Sequence, residues 1–303
     1  MSETIIQIEG LNKSYGKAKV LNDFKLRVER GKICGLIGPN GAGKTTVMKI
    51  MAGLTSQDSG VVEYFGKRKN TSSMRRLGFM IENPMVDINM TAEQNMAYIM
   101  RLKGVVDKDK IAELLKFVGL GETGKKKVKA FSLGMRQRLG IAMALMSDPE
   151  ILVLDEPVNG LDPEGMVEVR MILKRLAREK NVTILISSHL LAELSEMCDE
   201  YSIINHGTLV EHITADELKI KCEHHISIRT DNIEQSCAAL EEKLGIKNYK
   251  VFRNEEIHVF ERIDELAAIS KTLTDSGFTI LKFVCEGASL EEYYLSKVGG
   301  KNA

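Results

Sequence analysis

The stretch Gly38-Pro39-Asn40-Gly41-Ala42-Gly43-Lys44-Thr45-Thr46 follows the apolar run Ile33-Cys34-Gly35-Leu36-Ile37 and opens a helical pattern. Strand, glycine-rich turn and helix in that order make a phosphate-binding loop. The glycines let the backbone wrap an anion, so that successive N–H groups point at it together with the positive end of the helix dipole. Lys44 is then placed to reach the β- and γ-phosphates of a nucleotide, and the Thr45 hydroxyl to ligate Mg²⁺. Gly38, Pro39, Asn40, Gly41, Ala42, Gly43 and Thr46 complete the cradle.

A second apolar run, Ile151-Leu152-Val153-Leu154, ends in Asp155-Glu156-Pro157. Two carboxylates at the tip of a buried strand suit two jobs beside such a loop. Asp155 is suited to hold Mg²⁺, and Glu156 to orient and polarise the water that attacks a γ-phosphate. A helix opened by Asp162-Pro163-Glu164 and the apolar strand Val182 to Ile186 follow. Strand, helix, strand predicts a parallel sheet and an α/β core.

The rest of the chain divides around that core. Ile5 to Glu9 and Leu21 to Val28 alternate as strands, with Lys13-Ser14-Tyr15-Gly16 expected as a loop between them. Thr45 to Leu54 reads as a helix stopped by Gly53. Thr91-x-x-Gln94 is a capping box for a helix through about Lys103, and Asp107 opens another to Phe117 or Val118. The expected division is a nucleotide-binding domain over 1–213, with a helical subdomain at about 84–149, a linker helix over 214–222 and an accessory domain over 223–303. Residues 223–303 hold 10 Lys/Arg against 14 Asp/Glu, whereas the whole chain is balanced at 42 of each. The accessory segment reads strand, helix, strand, strand, helix, strand, helix, the order of a small α+β split βαβ domain.

The balanced charge gives no electrostatic argument for a nucleic-acid partner. Cys34, Cys198, Cys222, Cys237 and Cys285 are scattered and form no Cys-x-x-Cys pair, which reads as reduced thiols. The first residues show no export signal, and no uncharged apolar run approaches the length of a membrane span. Membrane work would therefore need a separate spanning subunit.

Phe131-Ser132-Leu133-Gly134-Met135-Arg136-Gln137-Arg138-Leu139-Gly140 offers a serine cap and a glycine at a helix start, which suits an anion. With Tyr15 upstream, Asp155-Glu156-Pro157 after it, and Ser187-Ser188-His189 further on, the chain resembles the ATP-binding cassette family over residues 4 to 213. The resemblance implies a mixed-sheet ATPase core with a helical subdomain, ATP and Mg²⁺ as ligands, and a head-to-tail homodimer. Each ATP would lie between the phosphate loop of one chain and Ser132 and Gly134 of the other. It further implies that Tyr15 stacks on adenine, that Asn159-Gly160-Leu161-Asp162 makes dimer contacts, and that His189 faces the γ-phosphate. Partners would be separate transmembrane permease subunits, with the chain cytoplasmic and peripheral on the inner membrane face.

Two departures narrow the likeness. Ile81-Glu82-Asn83-Pro84 carries a glutamate where most cassettes have glutamine, and Glu82 is expected near Mg²⁺ and at the partner surface. Leu133 and Met135-Arg136 replace residues usual in the signature, while Ser132 and Gly134 remain. With the tail Ala288-Ser289-Leu290-Glu291-Glu292-Tyr293-Tyr294, these features resemble the bacitracin-export and lantibiotic-immunity branch, so export of a peptide antibiotic or other hydrophobic compound is the expected work. The competing reading is a soluble cassette ATPase acting as a regulatory or assembly module without a membrane partner. Lys125-Lys126-Lys127 reads as a solvated loop, Met80, Met85, Met90, Met96 and Met100 chiefly as core, and His224-His225 lacks further ligands at zinc spacing.

Overall fold

The computed structural model describes residues 3–102, 104, 107–222, 224–252, 256–287 and 290–299. They form two compact units: Met1–Ala215 joined by the chain from Lys297 on, and Asp216–Ser296.

In chain order the first unit runs β1 (Thr4–Tyr15), β2 (Ala18–Glu29), β3 (Ile33–Ile37), α1 (Lys44–Met51), β4 (Ser59–Tyr64), β5 (Lys67–Arg68), α2 (Thr71–Met74) and β6 (Leu77–Met80). It continues with α3 (Ala92–Leu102), α4 (Lys108–Phe117), α5 (Leu133–Ala144), β7 (Ile151–Leu154), α6 (Pro163–Lys180), β8 (Thr183–Ser188), α7 (Leu191–Leu194), β9 (Glu200–Asn205) and β10 (Thr208–Thr214). The strands make two sheets, an antiparallel one ordered β2-β1-β4-β5 and a mixed one ordered β10-β9-β3-β8-β7-β6. In the second, β9, β3, β8, β7 and β6 are parallel, and β10 joins antiparallel.

β3, β7 and β8 are buried along their whole length, which is why they appear in the sequence as continuous apolar runs without alternation. Helix α1 lies in one core with both sheets. Its Val47, Met48, Ile50 and Met51 are fully buried among Ile6, Ile8 and Leu26 of the antiparallel sheet and Val153 and Leu185 of the mixed one. Burying each such side chain contributes roughly 1.5–3 kcal/mol. The helix that opens on the phosphate loop is thus clamped from two sides.

The sequence patterns mark element types better than their ends. Lys13, Ser14 and Tyr15 belong to β1 rather than to a loop, because register shifts along the β1–β2 ladder break the period of two that would have revealed the strand. Thr91 and Gln94 make the capping box in both directions before α3, and Asp107 caps α4 through Lys110 N. Lys103 lies outside the described residues. β4, β6, β9 and β10 carry no separate signal in the sequence pattern. Met80, Met96 and Met100 are core residues, and Met85 is exposed.

The second unit contains α8 (Ala215–Cys222), β11 (His225–Thr230), α9 (Ile233–Leu244), β12 (Tyr249–Phe252), β13 (Glu256–Val259), α10 (Leu266–Asp275), β14 (Ile280–Glu286) and most of α11 (Leu290–Val298). Its sheet is antiparallel in the order β12-β13-β11-β14. Ile226, Ile228, Ile257 and Val259 of the sheet pack with Leu240 of α9 and Ile269 and Leu273 of α10. The expected linker helix over 214–222 groups largely with this unit, and the last turn of α11 groups with the first. Lys297 there pairs with Glu211 at 2.9 Å, and Asn205 Nδ2 donates to the Val298 carbonyl at 2.9 Å. Helix α10 starts at Leu266, after Arg262 takes a left-handed φ of 53° and pairs with Glu265.

A chain ending at residue 222 is expected to fold, losing about 1–2 kcal/mol for the contacts of Lys297 and Val298. Calorimetric unfolding checks this, and a truncated chain without a cooperative transition would overturn the division.

Candidate active site

The phosphate loop joins the end of β3 to α1. Gly43 is the helix N-cap at φ 109°, and no side chain caps the helix. The N–H groups of Gly41, Gly43, Lys44, Thr45 and Thr46 meet no protein acceptor among the described residues. They form the unsatisfied, electropositive helix start that an anion requires. Gly38 is needed for space: a Cβ there would come within 2.3 Å of the Ile204 carbonyl oxygen on β9.

Lys44 is nearly fully buried, and its Nζ donates to the carbonyls of Gly38 at 2.7 Å and Pro39 at 3.3 Å. The same Nζ stands 3.3 Å from Glu156 Oε1. The other oxygen of Glu156, Oε2, accepts from Asn159 Nδ2 and faces His189 Nδ1, both at 3.0 Å. An ionised carboxylate can only accept, so Nδ1 carries the hydrogen of that contact. Lys44, Glu156 and His189, expected from three separate stretches, therefore meet around one carboxylate.

Glu156 sits at φ 47°, in the left-handed region that a bulky side chain enters at a cost of about 1–2 kcal/mol. One hydroxyl holds the turn. Ser187 Oγ accepts from Glu156 N at 2.9 Å and donates to Asp155 Oδ1 at 2.6 Å, so it fixes both acidic residues at once. Nothing in the order of residues assigns Ser187 a role, because its place one strand over from Asp155 is set by the pairing of β7 with β8. Asp155 is buried, and its Oδ2 and the Thr45 hydroxyl make no hydrogen bond among the described residues. Two free oxygen donors of this kind fit Mg²⁺.

The other expected residues fall elsewhere. Tyr15 ends β1 half exposed, with Lys13 Nζ 5.2 Å from its ring centre. Ser132 caps α5, accepting from Met135 N at 3.2 Å, and Asp162 caps α6, accepting from Gly165 N at 3.2 Å. The two caps adjoin, since a Cβ on Gly134 would lie 3.7 Å from Gly165 Cα. No hydrogen bond or ion pair joins Ser132, Gly134 or Asp162 to the phosphate loop among the described residues. Glu82, at φ 61°, pairs with Lys49 of α1 at 2.5 Å. That carboxylate raises the pKa of the Lys49 ammonium, to which the charges of Tyr15 and Asp155 contribute in smaller measure.

A family model described as ABC transporter matches residues 21–159. The bacitracin transport ATP-binding protein BcrA of Bacillus licheniformis is 38% identical over 98% of this chain and 98% of its own. The lantibiotic transport ATP-binding protein SrtF of Streptococcus pyogenes is 44% identical over 68% of this chain and 89% of its own. Among solved structures, the dimeric post-hydrolysis state of the ATP-binding cassette MJ0796 bound to ADP and Pi matches with a TM-score of 0.63 at 23% identity, covering 70% of this chain and 99% of that one.

Ser187→Ala is expected to keep nucleotide affinity within about threefold while lowering the hydrolysis rate by roughly tenfold or more, because the Asp155 carboxylate loses its hydrogen-bond donor and the Glu156 backbone N–H loses its acceptor. Single-turnover measurement with labelled ATP separates the two quantities.

Proposed function

The chain belongs to the ABC transporter family as an ATP-binding subunit, and from that premise we propose that it hydrolyses ATP in a closed homodimer to drive export of a peptide antibiotic or similar hydrophobic compound through separate membrane subunits. The observation that carries the reading is the meeting of Lys44, Glu156 and His189 around one carboxylate beside an unsatisfied helix start. The relatives' transport of bacitracin and lantibiotics supports the substrate class, and the dimeric cassette bound to ADP and Pi supports the assembly.

In this reading the ATP phosphates take the free N–H groups of the loop, and Lys44 turns from the Gly38 and Pro39 carbonyls to the β- and γ-phosphates. Glu156 orients a water for attack on the γ-phosphorus; the new P–O bond forms as the bond to the ADP oxygen breaks, and Glu156 takes the water proton. His189 Nε2, opposite the nitrogen engaged by Glu156, faces the γ-phosphate. Mg²⁺, when bound, would supply positive charge to the phosphate oxygens, and Thr45 and Asp155 would hold it. Ser132, Gly134 and Asp162 serve the ATP of the second copy, and Tyr15 stacks on the base.

An apolar groove of about 270 Å³ lined by Leu54, Phe79, Met80, Pro84, Met85 and Ile99 flanks the Glu82 loop. Leu54 and Met85 are 69% and 90% exposed, which suits a hydrophobic segment of a membrane partner rather than solvent. No helix among the described residues is long and apolar enough to cross a membrane. Glu82 would leave Lys49 for Mg²⁺ or for the partner when the nucleotide site fills.

Glu156→Gln is expected to bind ATP normally, to slow hydrolysis by roughly 10²–10⁴-fold, and to accumulate as a dimer with ATP on size-exclusion chromatography. A variant that stays monomeric and active sinks the catalytic assignment. Glu82→Ala is expected to reduce partner-stimulated turnover more than basal turnover, and Glu82→Gln to raise the Mg²⁺ concentration for half-maximal rate a few-fold. ATPase assays with and without reconstituted permease check both; unchanged stimulation and metal dependence make Glu82 a loop residue only.

A further inference from the structure

Strand β14 ends the sheet of the second unit. It pairs with β11 in unbroken register from His225↔Glu286 to Arg229↔Lys282, and among the described residues no strand lies along its other side. Its outer residues are open: Leu281 is 61% exposed, Val284 48%, and Cys285 is exposed as well. An edge of this kind presents unpaired N–H and C=O groups to any strand that can match it.

A lysine on an edge strand ordinarily discourages pairing, and Lys282 stands on this one. Here the lysine has a counterpart. Glu286 lies as far after Val284 as Lys282 lies before it, on the same face of the strand. A second β14 running antiparallel about Val284 would set Lys282 of each copy opposite Glu286 of the other, Phe283 opposite Cys285, and Val284 opposite itself. A register centred on Lys282 or on Glu286 would instead set like charges face to face. The charge pattern is thus self-complementary about a two-fold axis, the symmetry of an interface between identical chains. A different partner would have no need of that symmetry.

We infer that the second unit pairs with a second copy of this chain through β14, edge to edge and centred on Val284. The pairing needs no nucleotide. On the function proposed above, it keeps two chains together while their cassettes are apart, and so raises the effective concentration at which the cassettes meet around ATP.

Within one chain Lys282 also contacts Glu286 at 2.9 Å and Glu256 at 3.2 Å, so a single substitution disturbs contacts inside the copy as well as between copies. Mixing separates the two. Sedimentation equilibrium of the full chain without nucleotide is expected to show a dimer, weakened on the order of tenfold or more by Lys282→Glu and equally by Glu286→Lys. An equimolar mixture of the two variants should regain association to within about threefold of wild type, because only across two copies do the altered positions face each other with opposite charge. A mixture no stronger than its components, or a wild-type chain monomeric throughout, overturns the inference. ATP-driven dimerisation of the Lys282→Glu, Glu156→Gln double variant reports on the cassettes separately, so failure of the edge pairing and failure of the ATPase reading are told apart.

Discussion

One buried hydroxyl holds the acidic turn at the end of β7. Ser187 Oγ takes the N–H of Glu156 and gives its own hydrogen to Asp155, and without that bridge neither the left-handed turn at Glu156 nor the aim of Asp155 has a side-chain anchor. The bridge in turn depends on strand register. Leu154 pairs with Ile186 across β7 and β8, and Ile37 with Ser188 across β3 and β8, so three parallel strands end within two residues of one another. Their following loops, the phosphate loop, Asp155-Glu156 and Ser187-Ser188-His189, are delivered to one place by the ladder alone.

The charges at that place are balanced without a ligand. A buried ammonium is costly unless paired, and Lys44 has two carbonyls and the Glu156 carboxylate around it. An anion entering the loop would compete for the same cation, so the contact that neutralises Lys44 in the single chain is one that the proposed hydrolysis would have to exchange.

Ser132 and Asp162 hold two helix starts side by side. In the single chain each is a helix cap, satisfying N–H groups of α5 and α6 and packing the two helix starts together. The N–H groups of Leu133 and Gly134 at the start of α5 meet no acceptor among the described residues.

Local sequence determined much of this protein by itself. The glycine spacing before Lys44, the buried runs at Ile33–Ile37 and Ile151–Leu154, the capping box at Thr91 and Gln94, and the Asp162-Pro163 helix start each follow from backbone conformation, hydrophobic period or capping within a few residues, and each is where those rules put it. Tertiary structure decided the rest. The strand character of Lys13 to Tyr15 was hidden by register shifts, β6 and β9 gain their identity only from neighbours in the sheet, and the work of Ser187 exists only because β7 and β8 pair in one register. The pairing of Glu82 with Lys49 joins a loop to a helix distant in sequence, and the edge of β14 is an edge only because the sheet stops there. Propensity and capping act between near neighbours along the chain; ion pairs, shared hydroxyls and sheet edges are set by distances in space that no single stretch encodes.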